Sequence, residues 1–171
     1  MLMLGDVLAV VATLAGVCLS AWALVMAFST LFPTKVEEAR DAVSGQPWKC
    51  FRWGLGLWLT AGTASVALLN APNPLAKLVG WIVLLGLLTL AMLGAAGIAA
   101  VCARRVKALD PQASDLSAQT KGAVFVIVSG ILPILGWFAV APMVLMFGLG
   151  AGSRAVQAAR LRKPVEVEAT P

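Results

Sequence analysis

Apolar positions along this chain gather in four blocks, residues 7–32, 51–69, 75–103 and 122–152, and the charged residues fall almost wholly between them. A membrane-crossing helix needs roughly 20 mostly apolar residues. Each of the first three blocks therefore predicts one spanning helix. The fourth block holds 31 residues, about 46 Å as a helix, against a hydrocarbon core of roughly 30 Å. It must tilt steeply or break. Its centre reads "ILPILGWF": Pro133 removes a backbone donor, Gly136 permits a tight turn, and Trp137 follows. We expect a re-entrant hairpin turning at Pro133, Gly136 and Trp137, with residues 122–132 and 138–150 as half-length helices of about 17–20 Å. Lipid cannot satisfy the bare backbone of such a turn, so the other helices must cover it. One long, tilted, Pro-kinked span is the competing reading.

The cations bear on that choice. Before the first block there are none. The first connection has Lys35, Arg40, Lys49 and Arg52, and the second only Lys77. The third has Arg104, Arg105, Lys107 and Lys121, and the tail has Arg154, Arg160, Arg162 and Lys163. Cytoplasmic loops carry the excess of Lys and Arg. The N-terminus is thus expected outside, the first and third connections inside and the second outside. A single fourth crossing would export the basic tail, whereas a hairpin returns it to the cytoplasm. The same bias accounts for the net charge of +5, and no nucleic-acid partner is expected.

The connections have their own patterns. In "FPTKVEEARDAVSGQPWKCFRW", Thr34 and Glu37 have the spacing of a capping box. Val36, Ala39 and Val43 make a thin apolar stripe, Glu37 and Arg40 are placed to pair, and Ser44-Gly45 ends the helix. This predicts a short amphipathic helix at the membrane interface, followed by Trp48, Lys49, Arg52 and Trp53 as interface anchors. A docking site for a partner or for anionic lipid is the functional alternative. "NAPNPLAK" is a tight turn, and "RRVKALDPQASDLSAQTK" a basic stop leading into a polar loop broken at Asp110-Pro111. Asp6 stands where a cleavable signal would carry basic residues, so none is expected.

Composition narrows the class. Of 171 residues 60% are hydrophobic and 12% charged, with mean hydropathy +0.92; a soluble domain carries about 25% charged residues. Residues 1–152 thus read as one small all-α membrane domain whose partner is the lipid bilayer, and residues 153–171 as a short disordered tail, basic and then acidic. No charged residue lies mid-span, which argues against an ion pathway. The chain has no His and no Tyr, removing His-ligated cofactors and His base catalysis. Cys18, Cys50 and Cys102 have no paired or metal-binding spacing. We expect no enzyme activity, cofactor or metal.

Small residues recur at helical spacing instead: Ala12, Gly16 and Ser20 in the first block, Ala91, Ala95, Ala99 and Ala103 in the third, and Gly148 and Gly152 in the last. Such rows let helix backbones approach closely. Packing within one chain is the simpler reading; a self-association face is the sharper one.

Three stretches together resemble the membrane module of bacterial bactofilin-related, or polymer-forming cytoskeletal, proteins. They are "FPTKVEEARDAVSGQPWKCFRWGLG", "GAAGIAAVCARRV" and "ILPILGWFAVAPMVLMFGLGAG". They are similar in order to that family's interfacial helix, the basic stop of its third span, and its hairpin with a Gly-rich finish. The β-helical bactofilin domain is absent, and Trp48 and Cys50 stand where the family tends to have Gly or Arg. What the resemblance implies is a multi-pass protein of the bacterial inner membrane: an anchor, scaffold or accessory subunit, beside a second copy of itself or a membrane or cytoskeletal partner. A small channel or permease component, with the broken hairpin lining a pathway, is the alternative.

Overall fold

The computed structural model describes residues 4–131 and 136–161. Every regular element among them is helical: α1 (Leu4–Leu31), α2 (Pro33–Gly45), α3 (Pro47–Leu57), a π segment (Trp58–Gly62), α4 (Thr63–Asn70), α5 (Pro74–Leu109), α6 (Asp115–Ile131), a second π segment (Gly136–Val140) and α7 (Ala141–Leu161). Three helices are long and apolar enough to cross a membrane: Gly5–Leu31, Pro74–Leu109 and Phe138–Ala158. The block at 51–69 lies within a helical run from Pro47 to Asn70, widened at its middle by the π segment. Two threonines coincide with the widening. Thr60 Oγ1 donates to the Gly56 carbonyl at 2.8 Å, and Thr63 Oγ1 to that of Thr60 at 3.2 Å. Such back-bonding competes with the helical ladder.

Proline sets the starts. Pro33, Pro47 and Pro74 occupy the first turns of α2, α3 and α5, where a missing N–H costs no helical bond. The expected Thr34–Glu37 capping box does not form. α2 begins two residues earlier than a Thr34 cap requires, at Pro33, and no side chain bonds its first amides. A single non-helical residue, Gln46 at φ −144° and ψ 67°, separates α2 from α3. Asn73 Oδ1 accepts from the Leu75 amide at 3.0 Å and so caps α5. The third connection is shorter than expected. α5 runs on to Leu109 and α6 starts at Asp115, so only residues 110–114 are loop.

The α5 helix forms the central post. α4 doubles back along it, tied by Ser65 Oγ donating to the Gly80 carbonyl at 2.8 Å. α6 runs against it from the Arg104 end: an ideal Cβ on Gly122 would lie 2.5 Å from the Ala99 carbonyl oxygen. α7 crosses α5 on another face and carries α3 on its own outer side. α2 lays its apolar stripe on the bundle. Val36 and Ala39 are buried, and Ala39 meets α5 at Gly97. Lys35 Nζ also donates to the Ala155 carbonyl of α7 at 3.2 Å. The stripe is therefore covered by protein.

Both helical arms of the fourth block extend beyond it into polar sequence. α6 has 17 residues, about 26 Å, and α7 has 21, about 32 Å. α7 continues through Arg154 to Leu161, so the first part of the expected tail is helical. Between the arms, Gly136 returns to the main chain of Gly130, leaving no room for a Cβ. A straight helix would separate positions six apart by about 9 Å.

Small residues make up most of the interior, joined by Val25, Val36, Leu93 and Leu149, and most large apolar side chains lie outside. The buried core holds Ala39, Ala96, Ala99, Ala123, Ala151 and Ala155. Val10, Leu19, Leu75, Ile82 and Phe125 are more than half exposed.

Candidate functional site

Two features of this bundle are built by specific residues: a glycine seam around α7, and a polar end where α1, α2, α5, α6 and α7 converge.

The seam follows from "GLG" and "GAG" at Gly148, Gly150 and Gly152. Positions two apart on a helix lie about 200° around its axis, so these glycines open opposite faces. Gly148 faces α5, where an ideal Cβ would be 2.7 Å from the Ala91 carbonyl oxygen. Gly152 faces the Leu90 carbonyl, and Gly94 of α5 abuts the main chain of Gly148. On the other face Gly150 meets the Cys50 carbonyl, and Gly54 of α3 meets that of Met146. α7 is thus sandwiched at backbone distance between α3 and α5. Phe51 of α3 stacks on Trp48 at 5.5 Å between ring centroids and meets Phe147 of α7 at 5.4 Å in a tilted contact, the rings 49° apart.

The structure brings Ala91, Gly148 and Gly152 into this seam; Ala95 borders it, and Ala99 faces α6 at Gly122. The first-block row goes elsewhere. Ala12, Gly16 and Ser20 are exposed, with nothing within 4 Å of a Cβ placed on Gly16. Of the turn residues, Gly136 is buried in the π segment; Pro133 and the Trp137 side chain lie outside the described residues. Trp48, Lys49, Arg52 and Trp53 are all exposed along α3. Sequence reading missed Gly54, Gly122 and Gly150, and the two-residue glycine spacing was the available signal for the last.

The polar end is knit by ion pairs. Arg40 Nη2 meets Asp41 at 2.8 Å and Nη1 meets Glu37 at 4.0 Å. Lys35 meets Glu38 at 2.8 Å and Lys121 meets Asp110 at 3.8 Å; Lys107 pairs with Asp115. Gln119 Nε2 donates to Ser29 Oγ at 3.0 Å, joining α6 to the end of α1. A cleft of about 480 Å³ opens here, lined by Arg40, Arg104, Lys107, Glu37 and Asp115 among others. Its cations mostly face carboxylates of the same chain. Cys50, just before the apolar block, is fully buried, and its Sγ donates to the Ala42 carbonyl at 3.3 Å. Burial pushes its thiol up, opposed in part by the nearby Arg154 guanidinium. Among the described residues no cluster of His, Cys, Asp and Glu has the makings of a metal site.

Two further hollows are apolar. One of about 440 Å³ lies between α1, α5, α6 and α7, by Cys18, Met92, Gly130 and Val144. The other, about 510 Å³, lies beside the first π segment, by Trp58, Leu88 and Leu149. Neither offers a charged side chain. Comparison with protein-family models, with characterised proteins and with solved structures finds no match.

Proposed function

We propose that this chain is a non-enzymatic integral membrane protein of the bacterial inner membrane, serving as an anchor, scaffold or accessory subunit of a larger assembly. The observation that carries the reading is the distribution of side-chain size: a core mostly of alanine and glycine, with most leucine, valine and isoleucine side chains outside. In water that surface would be one large apolar patch. In lipid the outward Leu and Val face hydrocarbon at no cost, and close backbone packing supplies the cohesion. α1 adds to the case, since none of its apolar window is buried against the rest of the chain; it is free to lie in lipid or against a partner.

In this reading the N-terminus is outside and the tail cytoplasmic. Support comes from Lys35 on Ala155 and Gln119 on Ser29, which gather the ends of α1, α5 and α7 and the start of α6 at one polar end. The contact of Gly136 with Gly130 favours a fourth block that turns back over a single kinked span. Kinship with the bactofilin-related modules rests on the three sequence stretches alone. A channel or permease role draws no support from the apolar hollow beside α6 and α7, which offers nothing to replace a solute's hydration.

The test is extraction at alkaline pH followed by mass measurement in mild detergent. Retention in the membrane fraction and a mass above one chain, or a co-purifying protein, are expected. Release without detergent defeats the membrane reading, and a strict monomer that captures nothing counts against the scaffold.

A further inference from the structure

The outer face of α3 carries positive charge that nothing described in the protein answers. α3 opens with Pro47, Trp48 and Lys49; its first turn holds no acidic residue and no side chain caps it. Helix N-termini carry a partial positive charge and favour anions. Here Lys49 and Arg52 add two cations to that end, and neither pairs with a carboxylate among the described residues. By contrast Lys35, Arg40, Lys107 and Lys121 each meet an Asp or Glu; Arg104, Arg105 and Arg154 pair with none among the described residues, but none of the three lines the groove described next.

Below the cations the same face is hollow. Lys49, Arg52, Trp53, Gly56, Leu57 and Thr60 line one open groove of about 600 Å³. Their spacing keeps them on one side of the helix. Gly56 forms the floor, with nothing within 4 Å of an added Cβ, and Trp53 stands 56% exposed at the rim. The groove thus begins at two unanswered cations and descends along the apolar block. That order matches one occupant: a lipid with an anionic phosphate headgroup and an acyl chain below it.

We infer that this groove is a binding site for an anionic phospholipid, its phosphate held by Lys49 and Arg52 and an acyl chain laid along Gly56 to Thr60. The inference rests on the membrane reading above. Trp53 lies beside the headgroup, where interfacial tryptophans sit. The contact fixes the depth of α3, and through Gly54 and Gly150 that of α7.

The full-length chain is reconstituted in nanodiscs containing equal phosphatidylglycerol and phosphatidylcholine of matched chains, and the lipids it retains on release are counted by native mass spectrometry. Phosphatidylglycerol is expected to be enriched, and K49Q and R52Q each to lower the enrichment about fivefold. K77Q, at the opposite turn, is expected to leave it unchanged. G56L fills the floor while keeping both cations and should also reduce retention. All four sites are exposed, and each variant's unfolding midpoint is compared with wild type. Equal retention of the two lipids, no effect of K49Q and R52Q, or no effect of G56L overturns the inference. So does full displacement by inorganic phosphate, which would show a site for the anion alone. A chain that never enters the nanodisc instead defeats the membrane reading.

Discussion

Gly150 of α7 lies with its α-carbon against the carbonyl of Cys50 in α3, and Gly54 of α3 answers by lying against the carbonyl of Met146 in α7. Each helix gives up a side chain so that the other's backbone can approach. With main chain on both sides of the contact, no rotamer change relieves an added methyl.

Gly150→Ala and Gly54→Ala should each therefore destabilise the protein by about 1–3 kcal/mol or more. Gly16→Ala, placed in open space, should leave stability unchanged or raise it by up to about 1 kcal/mol through helix propensity. Unfolding in detergent, followed by circular dichroism, makes the comparison. Wild-type stability in Gly150→Ala would show that α3 and α7 do not meet at these glycines.

Among the described residues, Ser65 is the one fully buried hydroxyl joining two helices, through its bond to the Gly80 carbonyl. Ser65→Ala should cost about 0.5–1.5 kcal/mol. Thr89→Ala is the control, because Thr89 is exposed and bonds only within its own helix, at the Leu85 carbonyl. Equal effects of the two substitutions would mean that the α4–α5 tie contributes nothing specific.

The position of α2 yields a prediction of opposite sign to the one its stripe suggests. A helix lying on the lipid surface gains from a larger apolar residue. Ala39 instead has no exposed surface, and the ideal Cβ of Gly97 lies 2.9 Å from its methyl. Ala39→Leu should lower stability by about 1–3 kcal/mol. A gain in the unfolding midpoint would show that Ala39 does not pack against Gly97.

The side on which the tail lies can be read by thiol labelling. With the native cysteines replaced and Ala169→Cys introduced, an impermeant maleimide should label lysed cells and not intact spheroplasts. A second cysteine at Gly5 should label in both. Labelling of the Ala169→Cys tail in intact spheroplasts would mean that the fourth block crosses once.

Much of the element order was legible from the chain alone, because an apolar block of spanning length admits little but a helix in lipid. Pro33, Pro47 and Pro74, which begin three helices, were a start signal the sequence reading did not use. Local patterns misled where tertiary contacts supplied a competing partner. Thr34 and Glu37 have capping-box spacing, yet Pro33 begins the helix first. The stripe of Val36, Ala39 and Val43 says that one face of α2 is covered, but lipid and protein cover it equally well as far as periodicity can tell. Residues 104–121 read as a polar loop because charge was taken as an end to helix, whereas α5 and α6 both extend beyond their apolar parts.

The sequence by itself determined that this is an all-helical chain with three or more apolar segments, cations gathered in the first and third connections and the tail, and no histidine or mid-span charge. Those are properties of composition and of spacing along one helix. Tertiary structure alone decided how the small residues are spent. Ala12, Gly16 and Ser20 repeat every four residues as regularly as Ala91, Ala95 and Ala99. The first row faces outward, while the second lies against α6 and α7. A small side chain permits close approach without specifying what approaches, so only the placement of the neighbouring backbone distinguishes a seam from an open face.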